Sequence, residues 1–115
     1  MRALTTSRKS DYILDLEGEA LDDMRRLDPA MRRRVVQVLD RILVNPTAGA
    51  KRLGGSLAEC YEHHVANQYR IVYQIHEKVV TIQVIAIGKR ENLEVYRIAT
   101  ERVANLPENR TAEPN

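Results

Sequence analysis

The sequence predicts an α+β domain: a small, twisted antiparallel sheet, mixed at its N-terminal strand, backed by an α-helical hairpin and followed by a C-terminal helix. Three observations predict it. From Tyr61 to Ile87, β-branched and aromatic residues alternate with polar ones at period two, the signature of strands. On either side of Asp28-Pro29, apolar residues recur at spacings of three and four, the signature of amphipathic helices. Beyond Gly88, the residues Val95, Ala99, Val103 and Leu106 repeat that helical spacing.

The elements follow in order. Residues 1–11 are polar and predict a flexible arm, residues 12–106 a single domain, and residues 107–115 a disordered tail. Tyr12-Ile13-Leu14-Asp15-Leu16 is a short strand. Over residues 17–27, Ala20, Leu21, Met24 and Leu27 form one apolar stripe. Asp28 then serves as N-cap and Pro29 as first residue of a second helix, because an Asp side chain accepts from orphan N–H groups and proline has no N–H to orphan. Met31, Val35, Val38, Leu39 and Ile42 line its buried side, and Asn45-Pro46 ends it. The short gap between the two helices requires an antiparallel hairpin.

Residues 46–57 read as a loop, with Gly54-Gly55 as a turn and Leu53 and Leu57 tucked against the core. A three-stranded meander follows: Tyr61–Val65, Tyr69–His76 and Val79–Ile87, with turns at Ala66-Asn67-Gln68 and around Glu77-Lys78. A three-residue turn sets His64 opposite Arg70, and opposed residues share a face. Glu62 and His64 therefore lie on the face of Arg70, Val72 and Gln74, while Tyr69, Ile71, Tyr73 and Ile75 point into the core. The third strand is apolar on both faces, as a central strand is. Gly88 ends it, and a last helix spans about Asn92 to Asn105, stopped by Leu106-Pro107.

Composition narrows the function classes. The chain has 115 residues, 43% hydrophobic and 30% charged, which fits one globular domain. No apolar run approaches the roughly 20 residues that span a bilayer, and the N-terminus lacks the apolar core of a secretory signal. The single cysteine, Cys60, makes no internal disulfide, so the sequence predicts a cytoplasmic protein. His63 and His64 are adjacent on a strand and point to opposite faces, so no metal site is expected. The net charge is +2, with basic residues clustered at Arg25, Arg26, Arg32, Arg33 and Arg34 and recurring at 51–52, 70 and 89–90. The first cluster reads as a solvated helix face; nucleic acid is an allowed partner.

The pieces Lys51-Arg52-Leu53 with Gly55 and Leu57, Tyr69-Arg70-Ile71-Val72-Tyr73, Gly88-Lys89-Arg90-Glu91 and Val95-Tyr96 carry a resemblance. In this order of elements the chain resembles the RelE/ParE toxin superfamily of type II toxin–antitoxin pairs over about residues 12–105. It is nearer the RelE branch, which carries an arginine at the Arg90 position and a tyrosine at the Tyr96 position. The resemblance implies a RelE-like fold and a ribosome-dependent mRNA endonuclease in which the RNA's own 2′-hydroxyl attacks, without a cofactor. It implies a cognate antitoxin that wraps the toxin, with the ribosome and mRNA as further partners and no membrane. The superfamily's other branch implies the alternative, a toxin inhibiting DNA gyrase.

The resemblance also assigns roles. Arg70 corresponds to the arginine that stabilises the phosphate, Arg90 to the one that assists the leaving group, and Tyr96 to the tyrosine that stacks on the substrate base. Where the RelE branch tends to carry two basic residues spaced by two, this chain has Glu62 and His64. Histidine suits a general base better than lysine, so His64 is the expected base, with Glu62 orienting it or pairing with an arginine. Lys89 and Arg52 are expected phosphate contacts through charge. The alternatives are a plain Arg70–Glu62 ion pair, a solvated Arg90, and a Tyr96 ring packed on the helix hairpin.

Overall fold

The computed structural model describes residues 12–107. The expected arm over 1–11 and, Pro107 apart, the expected tail lie outside the described residues. Eight elements follow one another: β1 (Ile13–Asp15), α1 (Gly18–Arg26), α2 (Pro29–Val44), β2 (Lys51–Arg52), β3 (Tyr61–Val65), β4 (Tyr69–His76), β5 (Thr81–Lys89) and α3 (Glu94–Ala104). The strands form one sheet in the order β1-β5-β4-β3-β2. β1 runs parallel to β5 and the other pairs are antiparallel, so the sheet is mixed only at its N-terminal strand.

Two cores sandwich the sheet. On one face, Ala20, Met24 and Leu27 of the first helix segment and Val35, Val38, Leu39 and Ile42 of α2 pack on Val65, Ile71, Tyr73, Ile82, Val84 and Ile87. On the other, Val95 and Ala99 of α3 pack on Leu57, Cys60, Val72, Ile85 and Ala86. A bulge sets Val72 opposite Ala86 but Tyr73 opposite Val84. The extra residue, Ile85, lets two consecutive residues of β5 serve the α3 core while Val84 and Ile87 serve the hairpin core. The α2 cap is as expected: Asp28 Oδ1 accepts from the Met31 N–H at 2.8 Å.

Five expectations are corrected. Residues 46–57 are not all loop: Lys51-Arg52 pairs with β3 as a fifth strand, too short to show any periodicity. Val79 and Val80 belong to a turn and not to β5. A two-residue hairpin turn needs positive φ at its centre, usually from Gly or Asn. With Glu77-Lys78 there, the chain spends Glu77–Val79 on a 3₁₀ turn and closes it with Val80 at φ 50°. Gly88 does not end β5, which continues to Lys89. The last helix begins at Glu94, because Asn92 and Leu93 both take positive φ, at 55° and 59°. Arg32, assigned to a solvated face, instead caps α1: its guanidinium donates to Leu27 O at 2.7 Å, Arg25 O at 3.3 Å and Met24 O at 3.4 Å.

Candidate functional site

The face of β3, β4 and β5 beneath α3 gathers several of the residues singled out by sequence. The predicted register holds, with His64 opposite Arg70 and Glu62 opposite Val72. Glu62 and Arg70 are thus diagonal neighbours on one face. Arg70 is only 6% exposed, although its strand end lies next to a loop. That loop explains how the guanidinium is held. Ala66 takes φ 54° in the β3–β4 turn. The turn presents Asn67 O and Tyr69 O to Arg70 Nη1 at 3.2 and 2.8 Å. The Arg90 N–H donates to Gln68 O at 2.9 Å and ties the end of β5 to the same turn.

The rest of the Arg70 guanidinium is differently placed. Its Nε is buried and has no hydrogen-bond partner. The nearest carboxylate oxygen, Glu62 Oε1, stands 3.8 Å away, an ion pair beyond hydrogen-bond distance. Glu62, 5% exposed, spends that oxygen elsewhere. Tyr96 Oη donates to it at 2.5 Å. Burial comes first, and then the hydrogen bond to Glu62 and the charge of Glu62, in raising the Tyr96 phenol above its ordinary pKa; Arg70 pulls the other way.

Tyr96 reaches Glu62 because α3 lies close on the sheet. Gly88 stands opposite Arg70 on β5. A Cβ there would sit 3.4 Å from Val95 Cβ and Cγ2, so the first turn of α3 packs directly over this glycine. The alternative in which the Tyr96 ring packs on the helix hairpin is therefore corrected: Tyr96 is half-buried against the α3 core, on the opposite face.

The remaining candidates spread around this centre. His64 is exposed on the same face, beside Arg70. Arg90 is exposed at the end of β5. Lys89 stands opposite Tyr69, and alternation assigns it to the hairpin side. Arg52 stands opposite Tyr61. Its guanidinium lies 5.7 Å from the Tyr61 ring centroid and its Nε donates to Ala58 O at 3.0 Å. Of the two β2 cations, Lys51 is the one on the site's own face, in register opposite Glu62, and a two-residue strand shows no periodicity that would point to it. Cys60 is fully buried, and burial pushes its thiol up. Among the described residues no group of three His, Cys, Asp or Glu side chains is placed to hold a metal ion.

Chemically, the site offers a guanidinium whose position is fixed by backbone carbonyls, a solvent-facing imidazole beside it, and an aromatic ring at its edge. That set suits an anion with a planar group next to it. Among the described residues no helix is long and apolar enough to cross a membrane.

Residues 14–94 match the family model described as the ParE toxin of type II toxin–antitoxin systems. The chain is 36% identical over 93 residues to the mRNA interferase toxin RelE of Escherichia coli K12, covering 80% of this chain and 97% of that protein. Among solved structures, a mutant of E. coli RelE in the free state superposes with a TM-score of 0.66 at 34% identity, covering 80% of this chain and 97% of the other. The E. coli toxin of the intact RelBE toxin–antitoxin complex superposes with a TM-score of 0.59 at 31% identity, covering 70% and 98%.

Proposed function

The chain belongs to the ParE toxin family of type II toxin–antitoxin systems, and we propose that within it this protein is an mRNA endonuclease that cuts on the ribosome. The observation that carries the proposal is the state of Arg70. A buried arginine whose Nη1 is fixed by two backbone carbonyls, beside the exposed His64, is a preorganised cation next to a solvent-facing imidazole. The identity to a protein named mRNA interferase toxin supports the same conclusion.

In this reaction the substrate's 2′-oxygen bonds to the adjacent phosphorus and the bond from phosphorus to the 5′-oxygen breaks, leaving a cyclic phosphate and a free 5′-hydroxyl. His64, exposed beside Arg70, takes the 2′ proton as general base. Arg70 stabilises the charge that develops on the phosphate oxygens. Arg90 stabilises the departing 5′-oxygen chiefly by its charge, since a guanidinium is a poor acid, and solvent water gives that oxygen the proton that makes it a hydroxyl. The Tyr96 ring stacks on the substrate base. Lys51 adds positive charge on the site's own face along the approach of the RNA backbone; Lys89 and Arg52, on the hairpin side, add only to the wider field that attracts it. The nucleophile is part of the substrate, so the chemistry calls for no cofactor. The partners are the ribosome with its mRNA and a cognate antitoxin, and the protein acts in the cytoplasm. Solved relatives in complex with an antitoxin support the last partner.

The test is translation of a reporter mRNA in a purified bacterial system, with primer extension to find cuts. Wild type is expected to cut only where ribosomes are present, and Arg70→Ala, Arg90→Ala and His64→Ala to lose the cuts. Intact mRNA with the wild type would overturn the proposal and direct the next assay to DNA gyrase supercoiling.

A further inference from the structure

Glu62 is a buried carboxylate with two suitors. Tyr96 Oη holds its Oε1 at 2.5 Å, and Arg70 Nε, buried and without an acceptor, waits 3.8 Å from the same oxygen. A buried donor without a partner is costly, and so is a buried carboxylate. Closing the gap by about an ångström would satisfy Arg70 Nε in a charge-assisted hydrogen bond. The chain does not do so while the phenol keeps the oxygen.

We propose that the hydroxyl of Tyr96 is a positioning group that holds Glu62 off Arg70, so that the guanidinium stays available to the scissile phosphodiester. The inference rests on the nuclease function above and adds to it a second duty for Tyr96, distinct from stacking. Without the hydroxyl, Glu62 loses its acceptor bond. The nearest unsatisfied donor is then Arg70 Nε, on the diagonal position of the neighbouring strand. The carboxylate moves onto it, cancels part of its charge and competes with the substrate phosphate. Glu62, in a place where a basic residue would simply add attraction for RNA, is thereby harmless in the intact site and inhibitory once the phenol is gone.

Four proteins test this: wild type, Tyr96→Phe, Glu62→Gln and the double variant. Phenylalanine keeps the ring, so stacking is preserved. Glutamine keeps the shape and removes the charge. Reporter mRNA cleavage is expected to fall by about 10-fold to 100-fold in Tyr96→Phe, the range of one charge-assisted hydrogen bond. The double variant is expected to recover to the level of Glu62→Gln alone. Such a rescue is not produced by a merely structural role for the hydroxyl. The inference is overturned if Tyr96→Phe cuts like the wild type, or if the double variant is as impaired as Tyr96→Phe.

The same proteins are titrated with a short 2′-O-methyl RNA oligonucleotide, which needs no ribosome and has no free 2′-hydroxyl to attack. Weaker binding by Tyr96→Phe, restored in the double variant, is expected there too. Equal binding by all four would overturn the inference. If the wild type leaves mRNA intact, the nuclease function fails, and the oligonucleotide titration alone decides whether the phenol guards Arg70.

Discussion

Arg102 on α3 grips both carboxylate oxygens of Asp23 on α1, with Nη1 at 2.7 Å from Oδ2 and Nη2 at 3.1 Å from Oδ1. The fork closes the edge of the sheet. β1 pairs with β5 only as far as Gln83, and beyond that point β5 exposes backbone groups to no strand on that side. Asp23 Oδ2 accepts the Ile87 N–H at 3.0 Å, and Arg102 Nη1 donates to Ile85 O at 3.0 Å. One ion pair thus satisfies the backbone where the edge strand stops, and links the helices on the two faces. The Asp23 hydrogen bonds raise the Arg102 guanidinium above its ordinary pKa.

Removing Asp23 leaves Arg102 with only the exposed Glu19, 3.5 Å from its Nε, as an ion-pair partner, and orphans the Ile87 N–H. Asp23→Ala is expected to destabilise the fold by about 3–5 kcal/mol, the cost of breaking a buried pair. Asp23→Asn, which keeps one acceptor for Ile87, is expected to cost less. Urea unfolding measures both. A loss under about 1 kcal/mol for Asp23→Ala would mean that water replaces the carboxylate at this edge.

The basic cluster on α2 is expected to divide by role. Arg32 donates to three terminal carbonyls of the first helix segment, while Arg33 and Arg34 are exposed. Arg32→Ala should lower stability by about 1–2 kcal/mol, as the loss of a helix cap does. Arg33→Ala and Arg34→Ala should stay within about 0.5 kcal/mol of wild type. Equal small effects at all three positions would place Arg32 back on a solvated face.

Asp23, Arg102 and Arg32 mark the boundary of what the sequence makes legible. Local rules were enough for the Asp28 cap, the α2 stripe, the antiparallel meander and the His64–Arg70 register, because each depends on periodicity or on the length of one turn; the parallel β1 came only with the fold that the resemblance implies. The face shared by Glu62, His64 and Arg70 followed from that register. What could not be read is contact between distant elements. No local pattern connects Asp23 with Arg102, or Tyr96 with Glu62, because these partners lie on elements far apart in the chain. Lys51 was hidden for another reason: a two-residue strand has no period. Val79 and Val80 misled because β-branched residues favour strands, and the turn they belong to had to be longer than its sequence suggested.

Stability is expected to fall in alkali. Cys60 and Tyr73 are fully buried. Burial raises the pKa of both, and the Tyr73 phenol donates to Pro46 O at 2.6 Å. A raised folded-state pKa means that the folded protein holds its proton where the unfolded chain has lost it. The stabilisation is complete below the unfolded-state values, about 8.5 for a thiol and about 10 for a phenol, and is lost as pH climbs through the folded-state values. Urea midpoints are therefore expected to be level near neutrality and to drop steadily above about pH 8.5. The drop should flatten in Cys60→Ala between about pH 8.5 and 10, and in Tyr73→Phe above about pH 10. An unchanged slope in both variants would assign the alkaline loss to other groups.

Arginine at position 70 is expected to be irreplaceable by lysine. Its Nη1 is already spent on Asn67 O and Tyr69 O, and the other nitrogens are what remain for a phosphate. A guanidinium serves both demands because its donors diverge within one rigid plane; an ammonium is a single point that satisfies the turn or the phosphate. Arg70→Lys keeps a positive charge beside Glu62, so the fold should survive with a thermal midpoint near that of wild type. Reporter mRNA cleavage should nevertheless fall by about 100-fold or more, the scale of losing a preorganised contact to a developing oxyanion. The oligonucleotide affinity should fall less, because a charge near the phosphate remains. If Arg70→Lys cuts within about threefold of wild type, well inside the cost of one lost transition-state contact, charge alone suffices at this position and the carbonyl-held geometry contributes nothing to the reaction.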